Sequence, residues 1–345
     1  MFEKFSNRNP LVSIVIVNWN GAKYLPICLD AVNSQTFTDY EVIVVDNASS
    51  DQSADDIEVQ WPGVRVERLD ENVGFAVANN LGGRIARGSW LALLNNDAFP
   101  ASDWLARLLD AANNHPQFSF FASCLIQSET EGRIDSAGDI YHISGHAWHR
   151  DSNMLLEETH HKPEEVFSPC GAAALYKRYE FLEVGGFDEQ FISHFEDVDI
   201  GFRLRLRGSR CLYVPDAIVK HVGSASYGRE SDITVYHVQR NLVWSYFMNM
   251  PGRLLWKYML AHLVVNFVFL AYYSTRGQWK IIWRAKIDAL RGMHETLRKR
   301  RSIQDNRKIG ISELTRVMDH GWLSPFLLGR RSEFIRKIAA SLGLD

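Results

Sequence analysis

Four strand-like runs near the start of the chain each end in asparagine or aspartate. Three are mostly apolar and Val64–Leu69 alternates apolar with charged residues, and both patterns predict strands. Helical spacing in Tyr24–Ser34 separates the first two runs, which implies parallel strands joined by a right-handed crossover. Ligands bind where the carboxyl ends of such strands meet. The runs and their polar ends are Leu11–Val17 with Asn18, Glu41–Val45 with Asp46, Val64–Leu69 with Asp70 and Asn72, and Trp90–Leu94 with Asn95, Asn96 and Asp97.

The stretch Leu91–Pro100 carries the most polar of these four ends. A carboxylate at Asp97 beside two asparagines is well placed to hold a hard cation or a ribose. The alternative is plain turn chemistry, because Asn and Asp hydrogen-bond their own backbone after strands. Pro100 is expected to stop both a helix and a strand from continuing.

Charge, glycine placement and cysteine spacing exclude several function classes. The formal net charge of −3 gives no reason to expect a nucleic-acid partner. The first strand is followed by Asn18-Trp19-Asn20-Gly21 rather than a glycine-rich turn, which disfavours a dinucleotide-binding oxidoreductase. The cysteines show no spacing typical of a zinc site or a disulfide framework, so we expect a reducing compartment. They are Cys28, Cys124, Cys170 and Cys211.

Ile134–His149 alternates loosely around two glycines and predicts a hairpin. His142, His146 and His149 invite a metal-site interpretation. None of them has the close partner of a helical ligand pair, so polar or aromatic positions in a solvated hairpin explain them better.

Phe195–Gly208 predicts a helix with acids in its first turn and arginines toward its end, the distribution that the helix dipole favours. Asp199 and Arg203 lie four residues apart and are expected to pair across one face. With Glu196 and Asp197, the first turn carries three acids in four residues. This is more than capping requires, so at least one of them is expected to have another role.

His221 follows the short predicted strand Cys211–Val214 and precedes a loop rich in small residues. On its own, such a histidine is more often a hydrogen-bonding residue than a ligand. The residues alone leave both interpretations open.

Together these motifs resemble the inverting glycosyltransferases of family 2, which have the GT-A fold, and within them the rhamnosyltransferase-like branch. The resemblance spans roughly Leu11 to Ser226 and implies an α/β protein with a mostly parallel central sheet flanked by helices. We place the GT-A catalytic domain at residues 1–230 and a helical C-terminal region at residues 231–345. The motifs that carry the resemblance are Val15–Asn20, Val44–Asp51, Glu71–Asn80, Leu94–Asp97, Gly185–Phe191, Glu196–Asp199 and His221.

The resemblance implies a nucleotide-binding pocket. Asp46 corresponds to the carboxylate that the family uses on the nucleotide base or ribose, and Asn18 and Asn72 line the same pocket. Asn95 and Asn96 occupy the first two positions of the family's Asp-x-Asp motif, so an amide replaces the first acid, and we assign both to nucleotide binding. The implied donor is a nucleotide-diphospho-sugar, either a dTDP-sugar or a UDP-sugar.

Four residues are implied in metal binding and catalysis. Asp97, at the last position of that motif, and His221 are the implied ligands of Mg²⁺ or Mn²⁺, which offsets charge on the leaving diphosphate. Carboxylate oxygen suits either ion, and the imidazole favours Mn²⁺. Asp197 matches the family's general base, which takes the proton from the acceptor hydroxyl as it attacks with inversion. Glu196 would orient that base or touch the acceptor.

The implied function is transfer of a sugar, with rhamnose favoured, to a cell-surface glycan or a lipid-linked oligosaccharide. Two alternatives stay open. A sugar-1-phosphate nucleotidyltransferase shares the architecture, but no glycine- and arginine-rich loop follows the first strand. A non-catalytic nucleotide- or glycan-binding module would have no need of a general base such as Asp197.

Arg253–Tyr273 is strongly apolar, but it contains Lys257, His262 and Asn266, which argue against a membrane-spanning helix. The nearby tryptophans and the basic run Arg298–Arg301 predict instead a peripheral contact with an anionic membrane. The alternative is a helical subdomain or a homo-oligomer contact whose basic residues are merely solvated. Because the N-terminus lacks an apolar segment of the secretory type, we expect a cytoplasmic protein at the inner face of the cell membrane.

Overall fold

The computed structural model describes residues 9–130, 132–159, 161–223 and 231–327, so Ser224 to Ser226, at the end of the family resemblance, lie outside the described residues. The strands are β1 (Val12–Asn18), β2 (Tyr40–Asp46), β3 (Val64–Arg68), β4 (Trp90–Asn95), β5 (Ala98–Pro100), β6 (Phe120–Gln127), β7 (Ile134–Ser136), β8 (Asp139–Tyr141), β9 (Ala147–His149), β10 (Glu164–Val166), β11 (Ala173–Lys177) and β12 (Cys211–His221). The helices are α1 (Leu25–Asn33), α2 (Ile57–Gln60), α3 (Phe75–Ile85), α4 (Trp104–Asn114), α5 (Arg178–Glu183), α6 (Glu196–Leu206), α7 (Asp232–Asn249), α8 (Gly252–Lys257), α9 (Met259–Thr275), α10 (Trp279–Arg291), α11 (Met293–Asp305), α12 (Ile311–Arg316) and α13 (Ser324–Leu327).

These strands, apart from β8 and β9, form one sheet in the order β10, β12, β6, β11, β4, β1, β2, β3, with β5 beside β12 and β7 beside β6. Strand β1 is parallel to β2 and β4, β2 is parallel to β3, and β6 is parallel to β12. Because β11 is antiparallel to both β4 and β6, all six of those parallel strands point the same way. Their carboxyl ends therefore share one edge of the sheet, and the predicted mostly parallel α/β architecture is confirmed.

The four strands predicted near the start of the chain are confirmed as β1 to β4. Strands β1 and β2 are buried along nearly their whole length, as their mostly apolar sequences require in a sheet covered on both faces. Helix α3 is rich in small residues, which let it lie close to the sheet. A Cβ on Gly82 would overlap the Val15 side chain of β1, so this close approach depends on a glycine.

Strand β12 is longer than the predicted Cys211–Val214 and extends to His221. Its register against β6 shifts around Pro215, a residue that has no N–H to donate, and the strand then resumes. His221 is therefore the last residue of this strand. Pro100 is the last residue of β5, which agrees with the expectation that it stops a strand, and β5 pairs antiparallel with β12 and sets Ala98 opposite His221.

The predicted hairpin, here called the 134–149 hairpin, contains β7, β8 and β9, and β8 pairs antiparallel with β9. The prediction that this hairpin is solvated was wrong for part of it. His142 is buried, with Nδ1 2.8 Å from the Ser144 hydroxyl and Nε2 3.1 Å from the Gly321 carbonyl oxygen. His142 is buried because the C-terminal region packs against the hairpin and covers one end of it.

The C-terminal helices share an apolar core with the region around α6. One buried cluster joins Phe191, Phe195 and Phe202 to residues of α7 and α10 such as Trp244 and Ile282. The helical character predicted for the C-terminal region is confirmed. The region is nevertheless packed into the rest of the protein rather than appended to it.

The apolar segment Arg253–Tyr273 is two helices, α8 and α9, because Tyr258 leaves helical geometry with φ −105° and ψ 9°. Of its three polar residues Lys257 is exposed, and the other two face the interior. His262 Nδ1 donates to the Ser144 carbonyl oxygen at 2.8 Å, and Asn266 Oδ1 accepts from Lys286 Nζ at 2.6 Å. Within the described ranges, no helix combines the length and the apolar character needed to cross a bilayer.

The basic run Arg298–Arg301 is only partly a surface feature. Lys299 Nζ donates to the Asp188 carboxylate, and Arg300 donates to the carbonyl oxygen of Phe247 at 2.7 Å. Two of the four basic side chains therefore hold α11 against the protein, which corrects the expectation that the whole run faces outward.

Candidate active site

The candidate residues at the carboxyl edge of the sheet come from four strands that point the same way. Asn18 ends β1, Asp46 ends β2, Asn95 ends β4 and His221 ends β12. Parallel strands deliver side chains that are remote in sequence to one edge, so the topology brings these residues together.

Asn18, Asp46 and Asn96 form a hydrogen-bonded group, which we call the amide cluster. Asn18 Nδ2 donates to Asp46 Oδ1 at 2.9 Å, and Asn96 Nδ2 donates to Asn18 Oδ1 at 2.9 Å. Ser49, in the turn after β2, donates its hydroxyl to Asp46 Oδ1 at 2.6 Å and its backbone N–H to Asp46 Oδ2 at 3.2 Å. These bonds fix the orientation of the buried Asp46 carboxylate.

Gly21 leaves room for the amide cluster. A Cβ at this position would overlap Asn18 Oδ1 and Asn96 Nδ2, which are the two atoms that join β1 to the turn after β4. In the sequence Gly21 marked only a turn. The sequence did not show that Gly21 also leaves space for the amide cluster, because Asn96 lies far away in the chain.

Asn72 and Asn95 lie at the same edge of the sheet, where neighbouring residues hold them by hydrogen bonds. Asn47 Nδ2 donates to Oδ1 of the exposed Asn72 at 2.9 Å, and Val73 N–H donates to Asn47 Oδ1 at 2.9 Å. The backbone N–H of Asn95 donates to the Ala172 carbonyl oxygen at 2.8 Å. Neither residue touches the amide cluster directly in these bonds.

Asp97 and His221 lie side by side because β5, directly after Asp97, pairs with the end of β12. His221 Nε2 is 3.5 Å from Asp97 Oδ1, and His221 Nδ1 is 2.8 Å from Asp135 Oδ2. Burial disfavours the charged imidazole, but hydrogen bonding to Asp135 and Asp97 outweighs it and raises the pKa of His221 to about 9. A carboxylate behind a histidine in this way orients the ring and its second nitrogen.

The chemistry of Asp97 and His221 fits two ligands of a divalent cation rather than a complete site. Imidazole nitrogen and carboxylate oxygen both suit Mn²⁺, and Mg²⁺ is usually held by one or two carboxylates plus substrate phosphates. Among the described residues, no group of three or more His, Cys, Asp or Glu side chains could hold a metal ion. A cation here would need further oxygen ligands, and a diphosphate supplies oxygens of that kind.

Asp197 lies in the first turn of α6, and two backbone N–H groups hold its carboxylate. Gly171 N–H donates to Oδ2 at 2.9 Å, and Val198 N–H donates to Oδ1 at 2.8 Å. Burial and the nearby Asp139 carboxylate raise the pKa of Asp197 to about 6, against the lowering effect of these bonds. Such a carboxylate is ionised near neutral pH and is a stronger base than an ordinary aspartate.

The other two acids of this turn behave differently. Glu196 is buried, its Oε2 has no hydrogen-bond partner among the described residues, and burial followed by the Asp197 charge raises its pKa well above the usual range. Asp199 pairs with Arg203 at 2.6 Å, which confirms the predicted pair, and accepts from Asn249 of α7 at 2.6 Å. Asp199 therefore holds α6 in place, which leaves Glu196 and Asp197 as candidates for chemistry.

Gly171 and Ala172 connect the two sides of the site. The Ala172 carbonyl oxygen accepts from the backbone of Asn95 at the end of β4, and the Gly171 N–H donates to Asp197. Asp197 is thus joined to the edge of the sheet through two consecutive residues.

Sequence reasoning missed Asp135, Asp139 and Gly171. Asp139 accepts from His149 at 2.8 Å, and both of these acids lie in the 134–149 hairpin, where the alternating pattern predicted strands but not which side chains are buried. The run of small residues around Gly171 was a usable signal, since small residues before a strand allow a close approach.

Comparison with known proteins gives a family match. Residues 13–185, half of the chain, match the family model described as Glycosyl transferase family 2. A curated relative, the N-acetylglucosaminyl-diphospho-decaprenol L-rhamnosyltransferase of Mycobacterium tuberculosis, is 28% identical over 251 residues, which cover 66% of this chain and 81% of that protein.

Two solved structures are similar in fold. GalNAc-T7, crystallised with UDP, GalNAc and Mn²⁺, matches with a TM-score of 0.53 and 19% identity over 69% of this chain, which spans about half (48%) of that chain. The mannosyltransferase PcManGT of Pyrobaculum calidifontis, in complex with GDP-Man and Mn²⁺, matches with a TM-score of 0.53 and 18% identity over 90% of this chain and 88% of that chain. At these identities the likeness shows the fold alone, and that fold is GT-A.

Proposed function

The chain belongs to glycosyltransferase family 2, and from that premise we propose that it is a metal-dependent, inverting enzyme acting on a nucleotide-diphospho-sugar. We propose rhamnose, from a dTDP- or UDP-linked donor, as the sugar and a lipid-linked or cell-surface glycan as the acceptor. Support for this choice comes from the Mycobacterium tuberculosis relative, which is named as an L-rhamnosyltransferase of N-acetylglucosaminyl-diphospho-decaprenol.

The observation that carries the proposal is the state and position of Asp197. It is a carboxylate with a pKa of about 6, joined through Gly171 to the edge where the strand ends meet. In this role it takes the proton from the acceptor hydroxyl while that oxygen attacks the anomeric carbon and the nucleoside diphosphate leaves from the opposite face. Glu196, whose burial favours the protonated form, would donate a hydrogen bond to the acceptor or to the base.

On the donor side, the fixed geometry of the amide cluster supports a role in nucleotide binding. Asp97 and His221 would hold Mg²⁺ or Mn²⁺, which, when bound, offsets the charge that develops on the leaving diphosphate. The two structural neighbours that were solved with Mn²⁺ support this choice of cofactor. The residues proposed to line the nucleotide pocket are Asn18, Asp46, Asn72, Asn95 and Asn96.

A donor panel tests the proposal. Thermal stabilisation is measured with dTDP- and UDP-sugars in Mn²⁺, Mg²⁺ or EDTA, and release of nucleoside diphosphate is then followed with a lipid-linked acceptor. We expect stabilisation by at least one donor, strengthened by metal, and release that needs both metal and acceptor. Stabilisation without release would indicate a binding module. Formation of pyrophosphate from a nucleoside triphosphate and a sugar 1-phosphate would indicate a nucleotidyltransferase.

We also propose that the catalytic residues belong to a domain of residues 1–230 and that the region 231–345 contacts an anionic membrane. Helix α9 buries one apolar face, which includes Val265 and Phe269, while a second apolar face is exposed. Residues 252–287 contain several arginines and lysines and no acid. An exposed apolar face flanked by cations is typical of a helix lying on anionic lipid. The exposed apolar residues are Trp256, Leu260, Leu263, Val264, Phe267 and Val268 on α8 and α9, and Trp279, Trp283, Ile287 and Leu290 on α10.

Flotation with phosphatidylglycerol vesicles tests this contact. We expect the wild type to float at low salt, to float less at high salt, and to lose flotation when Phe267 is changed to Glu. Val59→Glu is the matched control, because Val59 is 76% exposed on α2, outside the proposed contact. A salt-independent absence of flotation together with a stable dimer in sedimentation would favour the homo-oligomer alternative and overturn the membrane proposal.

A further inference from the structure

The segment before the proposed base, residues 190–195, has an unusual backbone. Ile192, His194 and Phe195 have φ values of 67°, 65° and 72°. This left-handed region is uncommon for residues that carry a Cβ, and a β-branched residue such as Ile192 is an outlier there. Such conformations persist only where the surrounding structure holds them. Glu196 and Asp197 follow directly, so the path of this segment determines where the two carboxylates lie.

Asn241 of α7 holds the 190–195 segment through its side-chain amide. Its Nδ2 lies 3.2 Å, 3.0 Å and 2.7 Å from the carbonyl oxygens of Phe191, Ser193 and His194. The side chain is fully buried, and its Oδ1 accepts from Arg240 Nε at 3.0 Å, which fixes the orientation of the amide. One side chain therefore serves three carbonyl groups of a strained path.

Two cationic side chains of the C-terminal region also donate hydrogen bonds to the start of the 190–195 segment. Arg240 donates to the carbonyl oxygens of Gln190 at 3.3 Å and Phe191 at 3.1 Å, and Lys299 donates to the Gln190 side chain at 3.1 Å. All of these contacts come from residues at least 47 positions further along the chain than the groups they bind. The contacts that hold the path leading to Asp197 are therefore supplied in part by the C-terminal helices.

We propose that Asn241 is a positioning residue for catalysis, which keeps Glu196 and Asp197 directed at the acceptor by donating to the carbonyl groups of the 190–195 segment. The inference rests on the proposed function, because it takes Asp197 as the base. In this inference α7 positions the proposed base, a role that is separate from the proposed contact with lipid. A displacement of about 1 Å in a reacting group costs on the order of a hundredfold in rate.

The test compares two amide-to-carboxylate changes on the same helix. Asn241→Asp keeps the size of the side chain but sets an oxygen against three carbonyl oxygens. Gln239→Glu is the matched control, because Gln239 is equally buried and its Oε1 only accepts from Lys286, which a carboxylate also does. We expect Asn241→Asp to lower kcat by about a hundredfold with the donor KM unchanged, and Gln239→Glu to keep the wild-type kcat. Should Asn241→Asp fail to fold, Asn241→Ala removes the donor without adding a charge and carries the same expectation.

A second readout separates positioning from a general loss of stability. The Gly171 and Val198 N–H groups lower the pKa of Asp197, so a base released from them titrates at higher pH. In the Asn241 variants we therefore expect the acidic limb of kcat/KM to move to higher pH. A variant that is only less stable keeps the wild-type limb when rates are corrected for the folded fraction.

The outcomes distinguish this inference from the proposed function. Transfer that survives Asp197→Asn would overturn the proposed function and the role of Asn241 together. Transfer that is lost in Asp197→Asn but kept in Asn241→Asp would overturn the role of Asn241 alone. An equal loss in Gln239→Glu would also overturn it, because the effect would then belong to the helix and not to the donated hydrogen bonds.

Discussion

The proposed donor side (the amide cluster with Asp97 and His221) and the proposed base side (Glu196 and Asp197) differ in how their polar groups are paired. On the donor side, Asn18, Asp46 and Asn96 bond directly to one another, and the turns beside them contain two single left-handed residues, Asn20 and Ala48. On the base side, a buried Glu196 oxygen has no partner among the described residues, and a left-handed stretch of backbone leads into the Asp197 carboxylate. The first arrangement is held by hydrogen bonds among its own side chains, whereas Asn241 of α7 and Lys299 of α11 help to hold the segment that leads into the second.

This difference fits the roles proposed for the two sides. Groups that bind a ligand gain from being fixed in advance, because less freedom is lost when the ligand arrives. A general base gains from an environment that disfavours its charge, because that raises its pKa toward the working pH. The second requirement opposes stability, so on the base side the fold uses helices from the C-terminal region as support.

The largest expected effect separates the two sides outright. Asp197→Asn keeps the shape of the side chain but cannot accept the proton, so we expect kcat to fall by about a hundred- to ten-thousandfold. The donor dissociation constant, measured by calorimetry, is expected to stay the same because the amide cluster is untouched. Weaker donor binding in this variant would show that the two sides are not independent.

Asp135→Asn tests whether His221 belongs to the donor side. The change removes the carboxylate that holds Nδ1 of His221, and we expect the Mn²⁺ concentration for half-maximal activity to rise about ten- to a hundredfold. Asp319→Asn is the matched control, since Asp319 lies 3.8 Å from His142 in another acid and histidine pair. An unchanged Mn²⁺ requirement would contradict the proposal that His221 is a metal ligand.

The pH profile tests the electrostatics of the base side. Because Asp197 must be ionised to accept a proton and its pKa is about 6, kcat/KM should be halved near pH 6 and fall about tenfold for each pH unit below it. The residual rate of Asp197→Asn should lack this acidic limb. A wild-type limb near pH 4 would mean that burial does not raise the pKa of this carboxyl.

The smallest expected effect is confined to the donor side. Gly21→Ala pushes Asn18 and Asn96 apart, and a lost hydrogen bond worth about 1 kcal/mol corresponds to roughly a fivefold rise in donor KM with kcat unchanged. Gly310→Ala is the control, because its nearest atom is 3.8 Å from the added Cβ and its backbone is ordinary. A fall in kcat for Gly21→Ala would mean that the amide cluster also acts in the chemical step.

Much of the donor side could be predicted from the sequence because its signals are local. Each strand and the polar residue that ends it lie next to each other in the chain, as Val17 and Asn18 or Val45 and Asp46 do. A parallel topology then brings those ends to one edge without further information. The acids at the start of α6 were visible for the same reason.

The support for these groups could not be predicted, because it comes from pairs far apart in sequence. Asp135 and His221 are 86 residues apart, and no local pattern marks either as the partner of the other. Lys299 lies in a run of cations that looks solvated, and only the packing of α11 turns it toward Asp188. The break at Tyr258 could not be predicted either, since the apolar sequence around it continues on both sides.

The 134–149 hairpin influences residues on both the proposed donor side and the proposed base side. Asp135 bonds to His221, and the charge of Asp139 contributes to the raised pKa of Asp197. Under the proposed roles of His221 and Asp197, a chimera that receives this segment from another member of the family would change metal affinity and base strength in a single exchange. Efforts to redesign the enzyme should transplant the hairpin together with the strand ends that face it, since exchange of the whole segment replaces neighbours of both His221 and Asp197.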